Sequence, residues 1–158
     1  MSASLIYDLA PVGSIVAWSD GTPRPPERFS KKLAAWKTRN SQGRLVRKEG
    51  ERSLGATSLS PNFTLHEGDL GASGVIAIRI HRTFSLESTL TFKVIERPPL
   101  GSVRVFDRAG ANAELVHLAV DRHAAEEWLT QHGYPHAVLD EVTEDEIAAD
   151  HMEGRAAA

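Results

Sequence analysis

The sequence predicts an α+β fold: a mainly antiparallel sheet of five or more strands, with two or three helices packed on one side. Two patterns carry that expectation. Between Gly74 and Asp107, apolar and polar residues alternate in three successive segments, the period of half-buried strands. In the C-terminal third, short apolar runs alternate with helical segments that carry their own caps. The 158 residues contain no linker of shifted composition, so one domain spanning 1–158 is expected. A hydrophobic fraction of 41% and a charged fraction of 25% belong to a globular chain and exclude disorder.

The elements follow in order. Met1 to Ala10 lacks a basic n-region and carries Asp8, so it does not read as a secretory signal. Ser14 to Trp18 is an apolar run long enough for a strand and too short for a helix, and Asp20-Gly21 ends it as a turn. Pro23, Pro25 and Pro26 keep the chain extended or turning. A helix over Glu27 to Asn40 follows, with Phe29, Leu33 and Trp36 on one face and packed inward. Arg44 to Lys48 is a short strand. Glu49 to Pro61, rich in Gly, Ser and charge, reads as a long exposed loop.

Three strands come next. In Gly74–Arg82, Ile76, Ile78 and Ile80 share a face. In Ser88–Ile95, Leu90, Phe92 and Val94 point inward. In Ser102–Asp107, Val103 and Val105 lie together. Glu114 to Val120 is a further strand. Asp121 caps a helix over Arg122 to His132 whose inner face holds Ala124, Ala125, Trp128 and Leu129. Ala137 to Val142 is the last strand. Thr143 to Glu146 is a capping box opening an acidic helix, with a frayed end at about 153–158.

Composition limits the function. Without cysteine there is no disulfide, thiolate metal site or cysteine nucleophile. No apolar run approaches the roughly 18 residues of a membrane helix. The net charge of −3 hides an asymmetry. Thr22–Ser53 holds ten Lys/Arg against three Glu, whereas Asn112–Gly154 holds eleven Asp/Glu against Arg122 alone. Such halves either serve partners or face each other in the fold and neutralise.

Nucleophile-elbow, Walker, zincin and dinucleotide motifs are absent, and no cofactor is implied. The spacing of His117, His123, His132 and His136 enforces no metal site. His81-Arg82-Thr83-Phe84 resembles one half of the paired His-x-Thr/Ser signature of the 2H phosphoesterase family. That resemblance implies His81 as acid or base and Thr83 as phosphate holder, with Arg79 on the same strand. The second half is missing, since His117-Leu118-Ala119 has Ala119 where the hydroxyl belongs.

The basic set is Arg28, Lys31, Lys32, Lys37 and Arg39 around the helix, continued by Arg44, Arg47 and Lys48. Such a cluster could neutralise several phosphates. An acidic surface of Glu144, Asp145, Glu146 and Asp150 could stand in for phosphates in a basic protein groove. The stretch Pro11 to Lys37 resembles small uncharacterised accessory proteins of bacterial plasmids and integrative elements.

The resulting expectation is a non-catalytic, cytoplasmic binding protein of a bacterial mobile element. It would act on a nucleic-acid-handling protein or complex, as an inhibitor of host defence of anti-CRISPR or antirestriction type. The alternatives are direct nucleic-acid binding, and a His-dependent phosphoesterase or nuclease using His81, Arg79, Thr83 and His117. Two observations discriminate: a pocket joining Arg79, His81 and His117 favours the enzyme, and an exposed apolar patch beside charge favours a protein partner.

Overall fold

The computed structural model describes the backbone of residues 1–157 and the side chains through Met152. In chain order the elements are α1 (Ala3–Leu9), β1 (Ile15–Ser19), α2 (Ser30–Arg39), β2 (Ser41–Glu49), β3 (Arg52–Leu54) and β4 (Thr57–Leu59). There follow β5 (Asn62–Ala72), β6 (Val75–Ser85), β7 (Thr91–Glu96), β8 (Val103–Phe106), β9 (Leu115–Ala119), α3 (Arg122–Thr130), β10 (Val138–Glu141) and α4 (Glu144–Ala157).

The larger sheet has five antiparallel strands in the order β6-β5-β2-β1-β7. One face carries a core of Val16, Trp18, Leu45, Phe63, Leu65 and Phe92, closed by Ala3 and Ile6 of α1. Phe63, Phe84 and Phe92 meet with ring centroids 5.2–5.7 Å apart, tilted or edge-on. Each such side chain contributes about 1.5–3 kcal/mol when fully buried. A second sheet, β10-β8-β9, is also antiparallel and carries α3 on one face. Val103, Val105, Ala119 and Ala125 make its core. Asp121 caps α3 as its sequence implies, accepting from Ala124 N at 2.8 Å.

The expectation that the helices pack on one side is corrected. Four helices form, and they serve different surfaces. Helix α1 packs near β7 and α4, α3 packs on the smaller sheet, and α2 buries none of its residues. Phe29 is exposed and Leu33 and Trp36 are only half-buried, so the apolar stripe does not enter the core. The stripe turns instead toward the proline-rich lead-in, where the Trp36 indole N–H donates to the Thr22 carbonyl at 3.0 Å. Helix α1 escapes sequence reading because seven residues are too few to establish a helical period.

Two further expectations change. Glu49–Pro61 contains a small hairpin, β3 with β4, turning at Gly55 with φ +61°. Ile76 and Ile78 are exposed rather than inward. The reason is strand length. The β5–β6 ladder runs from Asn62↔Ser85 to Ala72↔Val75, but β2 covers β5 only from Asn62 to His66. The distal hairpin therefore projects beyond the sheet as a two-stranded arm. Ser73 and Gly74, both at positive φ, make its two-residue turn.

The capping box forms in half. Glu146 N donates to Thr143 Oγ1 at 3.4 Å, while the Glu146 carboxylate turns to Arg104. Helix α4 begins at Glu144, and the frayed end expected at 153–158 lies outside the residues described with side chains. No helix among the described residues is long and apolar enough to cross a membrane.

Candidate functional site

The face of the larger sheet opposite its aromatic core is polar, and strand register explains which residues meet there. On β5, Thr64 and His66 are two apart and share a face; on β6, His81 and Thr83 do the same. Antiparallel pairing sets His66 opposite His81 and Thr64 opposite Thr83. The imidazoles meet edge to face at 5.5 Å, and the two hydroxyls bond each other at 2.9 Å. Arg44 of β2 lies opposite His66. A bulge between His66 and Gly68 shifts the register, so that Asp69 lies opposite Arg79 and reaches back to His66 Nε2 at 2.7 Å.

Strand β9 supplies the other wall. Glu114 enters it and approaches His81 Nε2 at 3.5 Å. His117 stacks on Trp128 of α3, rings 4.7 Å apart, and Trp128 stacks on His132 at 3.9 Å. His132 Nδ1 donates to the Trp128 carbonyl at 2.8 Å, which fixes this column. Between the walls lies a half-open cleft of about 350 Å³. Arg44, Arg79, His66, His81, His117 and His132 all line it.

The electrostatics are legible at His117. Burial, with repulsion from His132 and Arg44, holds its imidazole below the usual range near 6.5. It is therefore neutral at neutral pH, inside a cleft with two guanidinium groups. His66 and His81 each have a carboxylate within reach, an arrangement that orients an imidazole and can assist proton movement. No hydroxyl or thiol side chain lines the cleft among the described residues. The cleft thus offers anion holders and acid–base groups, without a serine, threonine or cysteine nucleophile. Among the described residues no cluster of three or more His, Asp or Glu is arranged to hold a metal ion.

The residues singled out in the sequence separate into groups. Arg79, His81 and His117 line the one cleft, and Thr83 is turned to Thr64 outside its lining. Arg44 enters the cleft. Arg47 approaches Glu49 at 3.4 Å, and Lys48 sits over the Tyr7 ring. Arg28, Lys31, Lys32, Lys37 and Arg39 are exposed in and just before α2. Arg28 and Lys32 flank the Phe29 ring at 4.8 and 5.2 Å. Among the described residues no ion pair joins α2 to the acidic segment after Asn112. Of that segment, Glu144 and Asp145 are exposed, whereas Glu146 is bound to Arg104 and Asp150 to Arg97.

Sequence reasoning missed His66, Asp69, Glu114, Trp128 and His132 as cleft residues. One signal was available. Thr64-x-His66 is the mirror of His81-x-Thr83, and a hairpin between them must bring the pairs together. The partners on β9 and α3 come from the packing of one sheet against the other, which no local spacing encodes.

The family described as uncharacterised conserved protein UCP036055 matches residues 1–146. No curated protein and no solved structure matches the chain.

Proposed function

The chain belongs to the UCP036055 family of uncharacterised conserved proteins, and we propose that it is a binding protein for a phosphate-bearing ligand of the nucleic-acid class, seated in the cleft between the two sheets. One observation carries this reading: Arg44 and Arg79 line the same cleft as His66, His81 and His117. Guanidinium groups suit phosphate oxygens, and imidazole N–H groups add hydrogen-bond donors. The five exposed cations of the α2 region offer further contacts to a polyanionic backbone.

The test is titration of labelled single-stranded DNA, duplex DNA and single-stranded RNA, with inorganic phosphate as competitor and salt as a variable. The reading expects a Kd of about 10⁻⁴–10⁻⁶ M or tighter that weakens steeply with salt. Absence of binding to all three, at low salt and high protein, overturns it. The same cleft joins Arg79, His81 and His117, the arrangement that favours the phosphoesterase alternative. Gel analysis of the same samples reads it, intact strands supporting binding alone and cleaved strands the enzyme.

A second reading keeps the role expected from the sequence, a cytoplasmic regulatory protein of a mobile element acting on a nucleic-acid-handling protein or complex. Phe29 favours it. This exposed aromatic side chain, flanked by Arg28 and Lys32, has the composition of a protein-interface anchor. Phe29→Ala that spares oligonucleotide binding but abolishes capture of a defined host nuclease complex would support this reading over the first.

A further inference from the structure

We propose that strand β6 is a docking edge for a second copy of this chain, which adds its own β6 antiparallel and joins two five-stranded sheets into one. The two edges of the larger sheet are treated differently. At β7 the outer edge is engaged at Phe92, where the Met1 amino group donates to Phe92 O at 2.7 Å and the Met1 carbonyl accepts from Phe92 N at 2.8 Å. At β6, eleven residues from Val75 to Ser85 form an edge with no strand beyond it among the described residues.

An open edge presents a row of main-chain donors and acceptors to another strand, and natural sheets blunt such edges with proline, bulges or charge. The Val75–Ile78 part of β6 carries neither proline nor charge. Val75, Ile76 and Ile78 are 69%, 50% and 57% exposed, and Leu70, opposite Ile78 on β5, is 56% exposed. The arm they form is two-stranded beyond His66, a construction that is marginal in water without a further strand or covering surface.

The sequence of β6 can pair with its own copy without opposing like charges. A twofold axis at Ile78 sets that residue against its own copy and Ala77 against Arg79. It also leaves Arg79, His81 and Arg82 facing no residue of like charge. Moving the axis to Arg79 places two guanidinium groups directly opposite. A twofold axis through an antiparallel pair is normal to the sheet, so both clefts open on the same side of the joined sheet. An edge that can pair with itself without opposing like charges suits a second copy of the chain.

The chain lacks cysteine, so single-cysteine variants give a direct test. At an axis on Ile78, the paired Cα atoms lie about 4.5–5.5 Å apart, within the disulfide range of about 4.4–6.8 Å. Ile78→Cys is expected to cross-link into a dimer on mild oxidation, and Ile95→Cys on the opposite edge strand is not. Light scattering of the unmodified chain is expected to give twice the chain mass in the micromolar range. Ile78→Lys should return it to the single mass while the chain stays folded by circular dichroism, because that side chain is outside the core. A monomer at all concentrations overturns the proposal. So does a dimer that survives Ile78→Lys, or cross-linking at position 78 no better than at 95.

Discussion

Arg44 and Arg104 donate to adjacent carbonyls of one short segment, Arg44 Nη1 to Gly13 at 2.6 Å and Arg104 Nε to Val12 at 2.7 Å. One arginine stands on β2 of the larger sheet and the other on β8 of the smaller. The Val12–Gly13 link is thus gripped from both sheets. Gly13 has φ +103°, a backbone conformation that side chains rarely adopt, so the grip favours glycine.

Arg104 should be a stability residue. Its side chain is 4% exposed and is held by Asp140 at 3.0 Å and by both oxygens of Glu146. Burial opposes its charge, but the hydrogen bonds and charges of Glu146 and Asp140 outweigh that and hold the guanidinium above its ordinary value. Arg104→Ala removes the tie between β8, β10, α4 and the Val12 carbonyl. Urea unfolding is expected to show a loss of about 3 kcal/mol, the low end for a broken buried pair because both carboxylates remain partly solvated. Arg24→Ala, at an exposed pair with Glu27, should cost less than about 0.5 kcal/mol. Equal losses at the two sites would show that the Arg104 network is not what holds the sheets together.

The cleft makes a different demand on Arg79. That residue is exposed and lines the cleft. Arg79→Ala should therefore weaken phosphate-bearing ligands at least tenfold, about 1.4 kcal/mol, with little change in melting temperature. Arg82 is bound to Glu67 at 3.0 Å and lies outside the cleft lining. Arg82→Ala should leave the affinity within about twofold, ~0.4 kcal/mol. Equal effects from the two substitutions would place the ligand elsewhere.

Proton linkage at His117 gives a further test. Its folded pKa is depressed, so the folded protein binds fewer protons there than the unfolded chain. The stability it contributes is complete above the unfolded value near 6.5 and declines as pH falls through the folded value. An anion in the cleft opposes the repulsion from Arg44 and His132, so ligand should draw a proton onto His117. Binding should be tighter at pH 6 than at pH 8, with proton uptake seen as a buffer-dependent heat. His117→Asn should flatten both the stability slope and the binding slope between pH 7 and 5. A binding slope unchanged in His117→Asn assigns the linkage to another group.

Much of this fold was legible because its signals are local. The Ser14–Trp18 strand, the alternation through Phe92 and Val105, and the Asp121 cap each lie within a few residues, and the structure contains all of them. The failures share a cause. Ile76 and Ile78 alternate as a buried strand does, yet β5 and β6 outrun β2, and strand length relative to a neighbour is not written in the strand itself. Phe29, Leu33 and Trp36 have helical spacing, but spacing names a face without naming what covers it. The cleft was half legible: Arg79, His81 and His117 could be singled out as chemistry, while Glu114 and Trp128 join them only through sheet packing.

The last prediction concerns the cations of α2. The helix from Ser30 to Arg39 contains no acidic residue and buries none of its side chains. Among the described residues its one ion pair is a long one, Arg39 to Asp20 at 4.0 Å, and Asp20 is already satisfied by Thr22 and Asn40. Replacing Lys31, Lys32 and Arg39 together with glutamate therefore removes little native contact. Glutamate in the first turn suits the positive end of the helix dipole, which offsets part of the cost of placing one beside Asp20. The melting temperature should stay within about 2–4 °C, a change of ~1 kcal/mol or less. Oligonucleotide binding should fall at least tenfold, about 1.4 kcal/mol. Each lost phosphate contact should also reduce the salt slope by about 0.7–0.9. Unchanged affinity and slope in the folded triple variant would remove α2 from the ligand surface and leave the cleft alone as the site. A variant that unfolds instead would show that these cations support the fold through contacts beyond Asp20.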